Sequence, residues 1–222
     1  FEQASKLYLK ALEEEDLSRQ LRIHAWQGVA RSALQSGRPD LARRSLKRWR
    51  VLEPDSPDTW SWQKIRSGLI HRQEGVDAYV SHLRDLLDPE RPWSLVMQAG
   101  RALIDLYLER GQPQRISKAL KRLDQVAKGE DQRGEVLNFA QDVISDMPRN
   151  RRQKLLRAAP EAERDRFPAV LVRWEQARDR YRQDEAGWKD TWDDLAAILE
   201  RTEEFVRSRL GEKLRKLEEQ NG

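Results

Sequence analysis

Helix-breaking residues recur along this sequence at short intervals, and they constrain the fold more than any other feature. Turns that contain proline or glycine occur about every 15 to 25 residues, whereas the alternating polar and apolar runs typical of strands are almost absent. Between the breakers, apolar residues are spaced three and four apart, as at Phe1, Ala4, Leu7, Tyr8, Ala11 and Leu12. This pattern predicts an all-α protein built from short antiparallel helices.

The composition favours helices that bury one stripe and expose the rest. Of the 222 residues, 38% are hydrophobic and 36% are charged, and the net charge of +4 gives only a weak case for nucleic acid. The absence of cysteine excludes disulfides, thiol nucleophiles and thiolate metal sites. The sequence contains no run of about 20 apolar residues, so it predicts no membrane-spanning helix. Because the chain opens at Phe1 without methionine, we expect a fragment of a longer protein.

Tryptophans indicate an internal repeat. Trp26, Trp60 and Trp93 stand 34 and 33 residues apart, and a period near 34 that holds two helices is the length of a tetratricopeptide repeat. Residues 24–56 resemble such a repeat (TPR) closely. Five positions fall at the spacings of the family. They are an aromatic in the first helix, a small residue where the two helices cross, a glycine in the turn, an alanine in the second helix and a proline at the end: Trp26, Ala30, Gly37, Ala42 and Pro54. Trp49 departs from the pattern, because the family usually has a small residue there.

The other copies are weaker. Residues 1–16 match a second helix alone, residues 57–88 keep Trp60 but place Gly75 late, and residues 90–129 have an overlong first helix. The resemblance therefore covers residues 1–129 and implies a TPR-like right-handed superhelix of antiparallel helix hairpins, although each weak copy can equally be a generic hairpin. Residues 130–222 are expected to form a helical C-terminal extension or cap.

Local expectations follow from the same spacing. Trp26 and Ala30 should be buried between the two helices of the best repeat. The first helix should pack on the following hairpin and keep an apolar edge, and Ser56 before Pro57 should cap the next helix. The last helices could share an aromatic seam formed by Trp174, Tyr181, Trp188 and Trp192.

No group of residues predicts catalysis. The three histidines lack the spacing of a metal site, the acidic runs lie in polar helix stretches, and no glycine-rich phosphate loop or nucleophile elbow occurs. We therefore expect a non-enzymatic chain without catalytic, cofactor-binding or metal-binding residues.

The candidate partner-binding residues come from the best repeat and from the tryptophans. The groove side of its first helix would carry one cation, two amides and a histidine, so the pattern of TPR domains that hold acidic tails is not met. Trp60 and Trp62 are two residues apart and cannot share a helix face, so we expect one of them to face the groove or solvent. For Trp62, packing in the core and contact with a partner are equally expected. The candidates are His24, Gln27, Arg31, Gln35 and Trp62.

Charge is sorted along the chain. Residues 19–50 carry nine cations and one acid, whereas residues 184–204 carry eight acids and two cations. Such blocks are usually solvated helix faces, and the alternative is that one end attracts an acidic partner.

The resemblance implies a non-catalytic scaffold that binds a protein or an extended peptide. The chain is also similar to the helical N-terminal domain of lipoprotein activators of penicillin-binding proteins. That similarity would favour a location in the bacterial periplasm or envelope, and it implies a C-terminal domain of the same chain as a further partner. One alternative is a superhelical accessory domain of a larger peptidoglycan-acting enzyme. The other is a nucleic-acid-binding repeat that uses residues 43–50 and 149–157, against which the acidic block 184–204 argues.

Overall fold

The computed structural model describes residues 1–159, 166–183 and 204–219, with the isolated positions 190, 193, 196, 197, 199, 200 and 202. Over these residues the chain is all-α and contains no strand, which confirms the predicted class. The described helices are α1 Glu2–Ala11, α2 Arg19–Gln35, α3 Pro39–Leu52, α4 Trp60–Glu74, α5 Val76–Asp85, α6 Trp93–Glu109, α7 Pro113–Val126, α8 Gly129–Ser145, α9 Arg149–Ala158, α10 Ala169–Arg182 and α11 Glu204–Glu219.

The chain divides into two compact units, Phe1–Ala99 and Gly100–Gly222, and the boundary lies within α6. The predicted division into repeats over residues 1–129 and an extension over 130–222 stays a prediction. None of the described helices is both long enough and apolar enough to cross a membrane.

In the first unit, α2 and α3 form the hairpin that the sequence predicts around Gly37. The φ of Gly37 is +72°, a left-handed conformation that glycine adopts without a steric cost. The amide of Arg38 donates to the carbonyl oxygen of Ala33 at 2.8 Å, so a carbonyl at the end of α2 is satisfied inside the turn. Pro39 then occupies the first position of α3, where its missing N–H costs nothing.

The same turn joins α6 to α7 in the second unit. The φ of Gly111 is +62°, the amide of Gln112 donates to the carbonyl oxygen of Tyr107 at 2.9 Å, and Pro113 begins α7. Arg38 and Gln112 have nearly equal backbone angles, with φ/ψ of −109°/69° and −107°/70°. A glycine–X–proline helical hairpin therefore occurs twice in the chain.

Small residues let α2 and α3 approach closely. Ala30, Ala33 and Ala42 are fully buried. Trp49 is only 1% exposed, and its indole Nε1 donates to the Glu53 carboxylate at 2.6 Å. The expected burial is confirmed for Ala30, whereas Trp26 is only half-buried and packs at the edge of this core.

The first helix packs on α2, as the sequence predicts. The buried hydroxyls of Ser5 and Ser32 share a hydrogen bond of 2.7 Å across the contact. Phe1 and Leu7 remain 73% and 69% exposed, so the expected apolar edge is present.

The predicted N-cap of the next helix is wrong. Ser56 begins a short 3₁₀ turn, Ser56–Asp58, and α4 starts only at Trp60. Thr59 has an extended backbone and caps α4 instead, because its hydroxyl oxygen accepts from the amide of Trp62 at 3.4 Å.

In the second unit, Trp174 of α10 is 1% exposed and lies in the core. The other three aromatics of the expected seam lie outside the described residues: Trp188, Trp192 and the side chain of Tyr181.

Candidate functional site

Four of the five candidate residues lie on one side of α2. They follow each other at intervals of three and four residues, which places them on one helix face. His24, Arg31 and Gln35 are exposed and Gln27 is half-buried. Gln20, which the sequence analysis did not select, extends the row by one turn, since its Nε2 lies 3.3 Å from Nε2 of His24. We call these five residues the α2 polar stripe.

The α2 polar stripe lies between two helices that pack on α2. On one side, the Tyr8 ring of α1 lies against Gly28. On the other side, Gly68 of α4 approaches the side chain of Leu34. The helix packing therefore leaves a polar row of α2 open between α1 and α4.

Trp62 lies apart from the other four candidates. It is 8% exposed, belongs to the core formed with α2 and α3, and its indole Nε1 lies 3.4 Å from the carbonyl oxygen of Leu46, to which it donates. The indole is therefore packed in the core and offers little surface to a partner. On α4, Ser61 is exposed but Ile65, one turn later, is buried, so this side of α4 does not continue the α2 polar stripe.

A second surface of the first unit is strongly cationic. The outer side of α3 carries five exposed basic residues, which we call the basic face: Arg43, Arg44, Lys47, Arg48 and Arg50. They all belong to the cation-rich block that the sequence shows at residues 19–50.

The second unit contains a buried charge network that the sequence analysis missed. The side chain of Glu175 in α10 is fully buried and forms an ion pair with Arg178 one turn later. The Nε2 of Gln141 in α8 donates to Oε1 of Glu175 at 3.4 Å. Lys213 of α11 in turn donates to the Oε1 of Gln141. These contacts join α8, α10 and α11.

The α9 helix joins the same network. The Arg152 side chain is 6% exposed, and its Nη2 donates to the Asp179 carboxylate at 2.5 Å. Nε of Arg149 approaches the same carboxylate at 3.8 Å. Two arginines of α9 thus converge on Asp179 of α10 within the unit.

Burial shifts the titration of two members of this network. Burial raises the pKa of Glu175, and the neighbouring Arg178, Gln141 and Arg152 only partly offset that cost. Burial also lowers the pKa of Lys213, which Asp142 and Glu175 partly offset. Perturbed groups of this kind occur both at active sites and in structural ion-pair networks.

Two cavities in the described part of the second unit lie away from Glu175. One, of about 470 Å³, lies between the start of α7 and the end of α9 and is lined by Arg115, Lys154 and Arg157. Another, of about 730 Å³, is lined by residues of α8 and α11 with mixed charge. Glu175 lines neither of these two cavities, and its described contacts join α8, α10 and α11. Across the residues that the structure describes, no group of three or more potential ligands could hold a metal ion.

A sequence signal for Glu175 does exist. It follows Leu171 and Val172 by four and three residues, so helical periodicity places the carboxylate on the buried side of α10.

Comparison of the chain with models of protein families, with curated proteins and with solved structures found no match. The assignment of function therefore depends on the geometry described above.

Proposed function

We propose that this chain is a non-catalytic helical-repeat scaffold that binds a protein or an extended peptide along the α2 polar stripe. The observation that carries the proposal is the open row of hydrogen-bonding side chains between α1 and α4. A rigid helix holds these side chains in a fixed row, so little backbone ordering is needed when a ligand binds.

The chemistry of the stripe suits a peptide backbone. The amide groups of Gln20, Gln27 and Gln35 can each donate and accept hydrogen bonds, which matches the alternating N–H and C=O groups of an extended chain. Arg31 adds a planar group that can hold a carboxylate through two hydrogen bonds. The ligand in this proposal is extended, is bound mainly through its backbone, and carries an acidic group opposite Arg31.

The architecture in the proposal is TPR-like. In a right-handed TPR superhelix, the first helix of a hairpin packs on its partner and on the helices before and after, and it lines the concave side. The packing of α2 against α1, α3 and α4 fits this arrangement, as does the second glycine–X–proline hairpin at Gly111. Membership of the lipoprotein activators of penicillin-binding proteins, with an envelope location, is a narrower hypothesis that the full-length gene sequence would test.

A selection from a random peptide library tests the stripe. The variant Gln27→Ala/Arg31→Ala/Gln35→Ala removes its central side chains, and Gln98→Ala/Arg110→Ala/Gln125→Ala removes the same residue types from exposed positions elsewhere. We expect peptides selected on the unmodified protein to bind the stripe variant about tenfold or more weakly and the control variant unchanged.

Two results would contradict the proposal. Enrichment of no peptide, or equal binding by the stripe variant, removes the binding function. Hydrolysis of a peptide, ester or glycan that a single carboxylate substitution abolishes removes the non-catalytic assignment.

A further inference from the structure

The basic face occupies one continuous side of α3. Successive residues of an α-helix are turned by about 100°, so residues 43, 44, 47, 48, 50 and 51 cover an arc of about 160°. The opposite side carries the residues that pack into the first unit: Ala42, Ser45, Leu46 and Trp49, all buried. The cations therefore share one outward surface and are not scattered around the helix.

Little in the described part of the chain neutralises this surface. Asp40 is the one acid of α3, and its carboxylate is 3.1 Å from Nη1 of Arg43. Nη2 of Arg43 donates to Gln73 at 2.7 Å, so Arg43 is held by neighbours on both sides. The other four cations have no ion pair or hydrogen bond with any described residue: Arg44, Lys47, Arg48 and Arg50.

The spacing of these cations works against the helix itself. Arg44 and Arg48 are four residues apart and Lys47 and Arg50 are three apart, and like charges at those spacings repel. A bound anionic group relieves this repulsion, and arginines add paired hydrogen bonds to carboxylates. Beside them, Val51 is 75% exposed, which offers an apolar contact within a charged surface.

We propose that the basic face of α3 docks an acidic segment of a partner protein that also carries an apolar side chain, which contacts Val51. The proposal rests on the proposed scaffold function, and it adds a second binding surface and the charge of the partner. It uses the outer side of the second helix of the hairpin, away from the α2 polar stripe.

The surroundings favour an acidic protein segment over a nucleic acid. No aromatic side chain stands among the exposed residues of α3, so this helix lacks the aromatic platform on which the bases of single strands stack. The loop after α1 carries four exposed acids at residues 13–16. Arg22 binds the carbonyl oxygen of Glu15 at 2.9 Å and Arg19 binds that of Leu52 at 3.0 Å, so this loop and the end of α3 each contact the start of α2.

Binding of a labelled acidic peptide tests the proposal. The probe is a peptide of about twelve aspartates and glutamates around a central leucine, and its control has asparagine and glutamine instead, so that only charge differs. The protein variant Arg44→Gln/Lys47→Gln/Arg48→Gln keeps helix-forming side chains of similar length. The matched variant Lys64→Gln/Lys118→Gln/Arg122→Gln removes the same charge from exposed positions on other helices. Circular dichroism establishes that each variant is folded.

We expect the acidic probe to bind more tightly than the amide probe, and the basic-face variant to weaken it about tenfold or more at about 0.15 M salt. The matched variant should bind within about twofold of the unmodified protein, because charges elsewhere are screened. Equal binding of both probes, or equal losses in both variants, would overturn the proposal. A single-stranded or duplex oligonucleotide that binds more tightly and loses affinity through the same three positions would assign the face to nucleic acid and also overturn it.

The stripe variant separates this proposal from the scaffold function. If library-selected peptides still depend on Gln27, Arg31 and Gln35 but the acidic probe does not bind, the scaffold function stands without the basic face. If neither ligand binds, both proposals fail.

Discussion

The ring of Tyr8 lies directly on the backbone of Gly28, where a Cβ would stand 2.5 Å from its Cε2 atom. This close approach lets α1 sit on α2 next to the buried Ser5–Ser32 hydrogen bond. In an isolated helix, glycine to alanine is worth about 1 kcal/mol of added stability. We expect Gly28→Ala to lose that gain, because the half-exposed Tyr8 ring must move off α2.

A double-mutant cycle measures this relationship. In the Tyr8→Ala background the space is open, so Gly28→Ala should raise the free energy of unfolding by about 1 kcal/mol. The coupling between the two positions should be about 0.5–3 kcal/mol in denaturant titrations. Additive effects of the two substitutions would show that the ring does not hold α1 on α2.

A similar close approach of a side chain to a helical glycine occurs in the second unit, where the neighbouring side chain is fully buried. A Cβ at Gly100 would stand 2.7 Å from both Cδ atoms of Leu123, whose side chain is fully buried. We expect Gly100→Ala to destabilise the protein by about 1–3 kcal/mol through overpacking. Gly211 of α11 is the matched control, since a Cβ there meets nothing within 4 Å, and Gly211→Ala should be neutral or stabilising. The two melting temperatures check this, and a Gly100→Ala variant as stable as the control would contradict it.

The two tryptophans of the α2–α3 hairpin should differ in their contribution to stability. Trp49 is 1% exposed and bonded to Glu53, so Trp49→Ala should cost about 3–5 kcal/mol. Trp26 is half-buried at the edge of the core, so Trp26→Ala should cost clearly less. Urea titration of both variants checks the order. The reverse order would place the family-like aromatic at the centre of the hairpin, as the resemblance alone implies.

The turns of this fold could be predicted because their geometry is local. Gly37 and Gly111 each precede one residue and a proline, and that short pattern sets both the end of one helix and the start of the next. The α2 row could be predicted for a similar reason, since helical periodicity alone places His24, Arg31 and Gln35 on one face.

Two of the three failures, at Trp62 and at Glu175, depend on contacts between helices. Whether Trp62 faces the core or the groove depends on how α4 rotates against α2 and α3, and spacing within α4 does not fix that rotation. The N-cap at Ser56 failed for a local reason, because the 3₁₀ turn Ser56–Asp58 moves the cap to Thr59 and the start of α4 to Trp60. The burial of Glu175 could be inferred from Leu171 and Val172, but its partners Gln141 and Lys213 come from helices distant in sequence.

Glu175 should make the stability of the protein depend on pH. Its pKa in the folded protein is raised above the ordinary value of 4.5, chiefly by burial, so between these two values the folded state binds more protons than the unfolded state. The stabilisation that protonated Glu175 provides is therefore complete below about pH 4.5 and is lost as the pH rises through the folded pKa.

The variant Glu175→Gln isolates this contribution, because its amide is neutral at every pH and has nearly the same shape. We expect the free energy of unfolding of the unmodified protein to rise relative to that of Glu175→Gln as the pH falls from 7 toward 4.5. Glu14→Gln, in the exposed loop after α1, makes the same change in net charge and serves as the control. A difference between the unmodified protein and Glu175→Gln that stays constant over this range would mean that Arg178 and Gln141 fully compensate the buried carboxylate. The network would then stabilise the contacts among α8, α10 and α11 equally at either pH, because the carboxylate would stay ionised throughout.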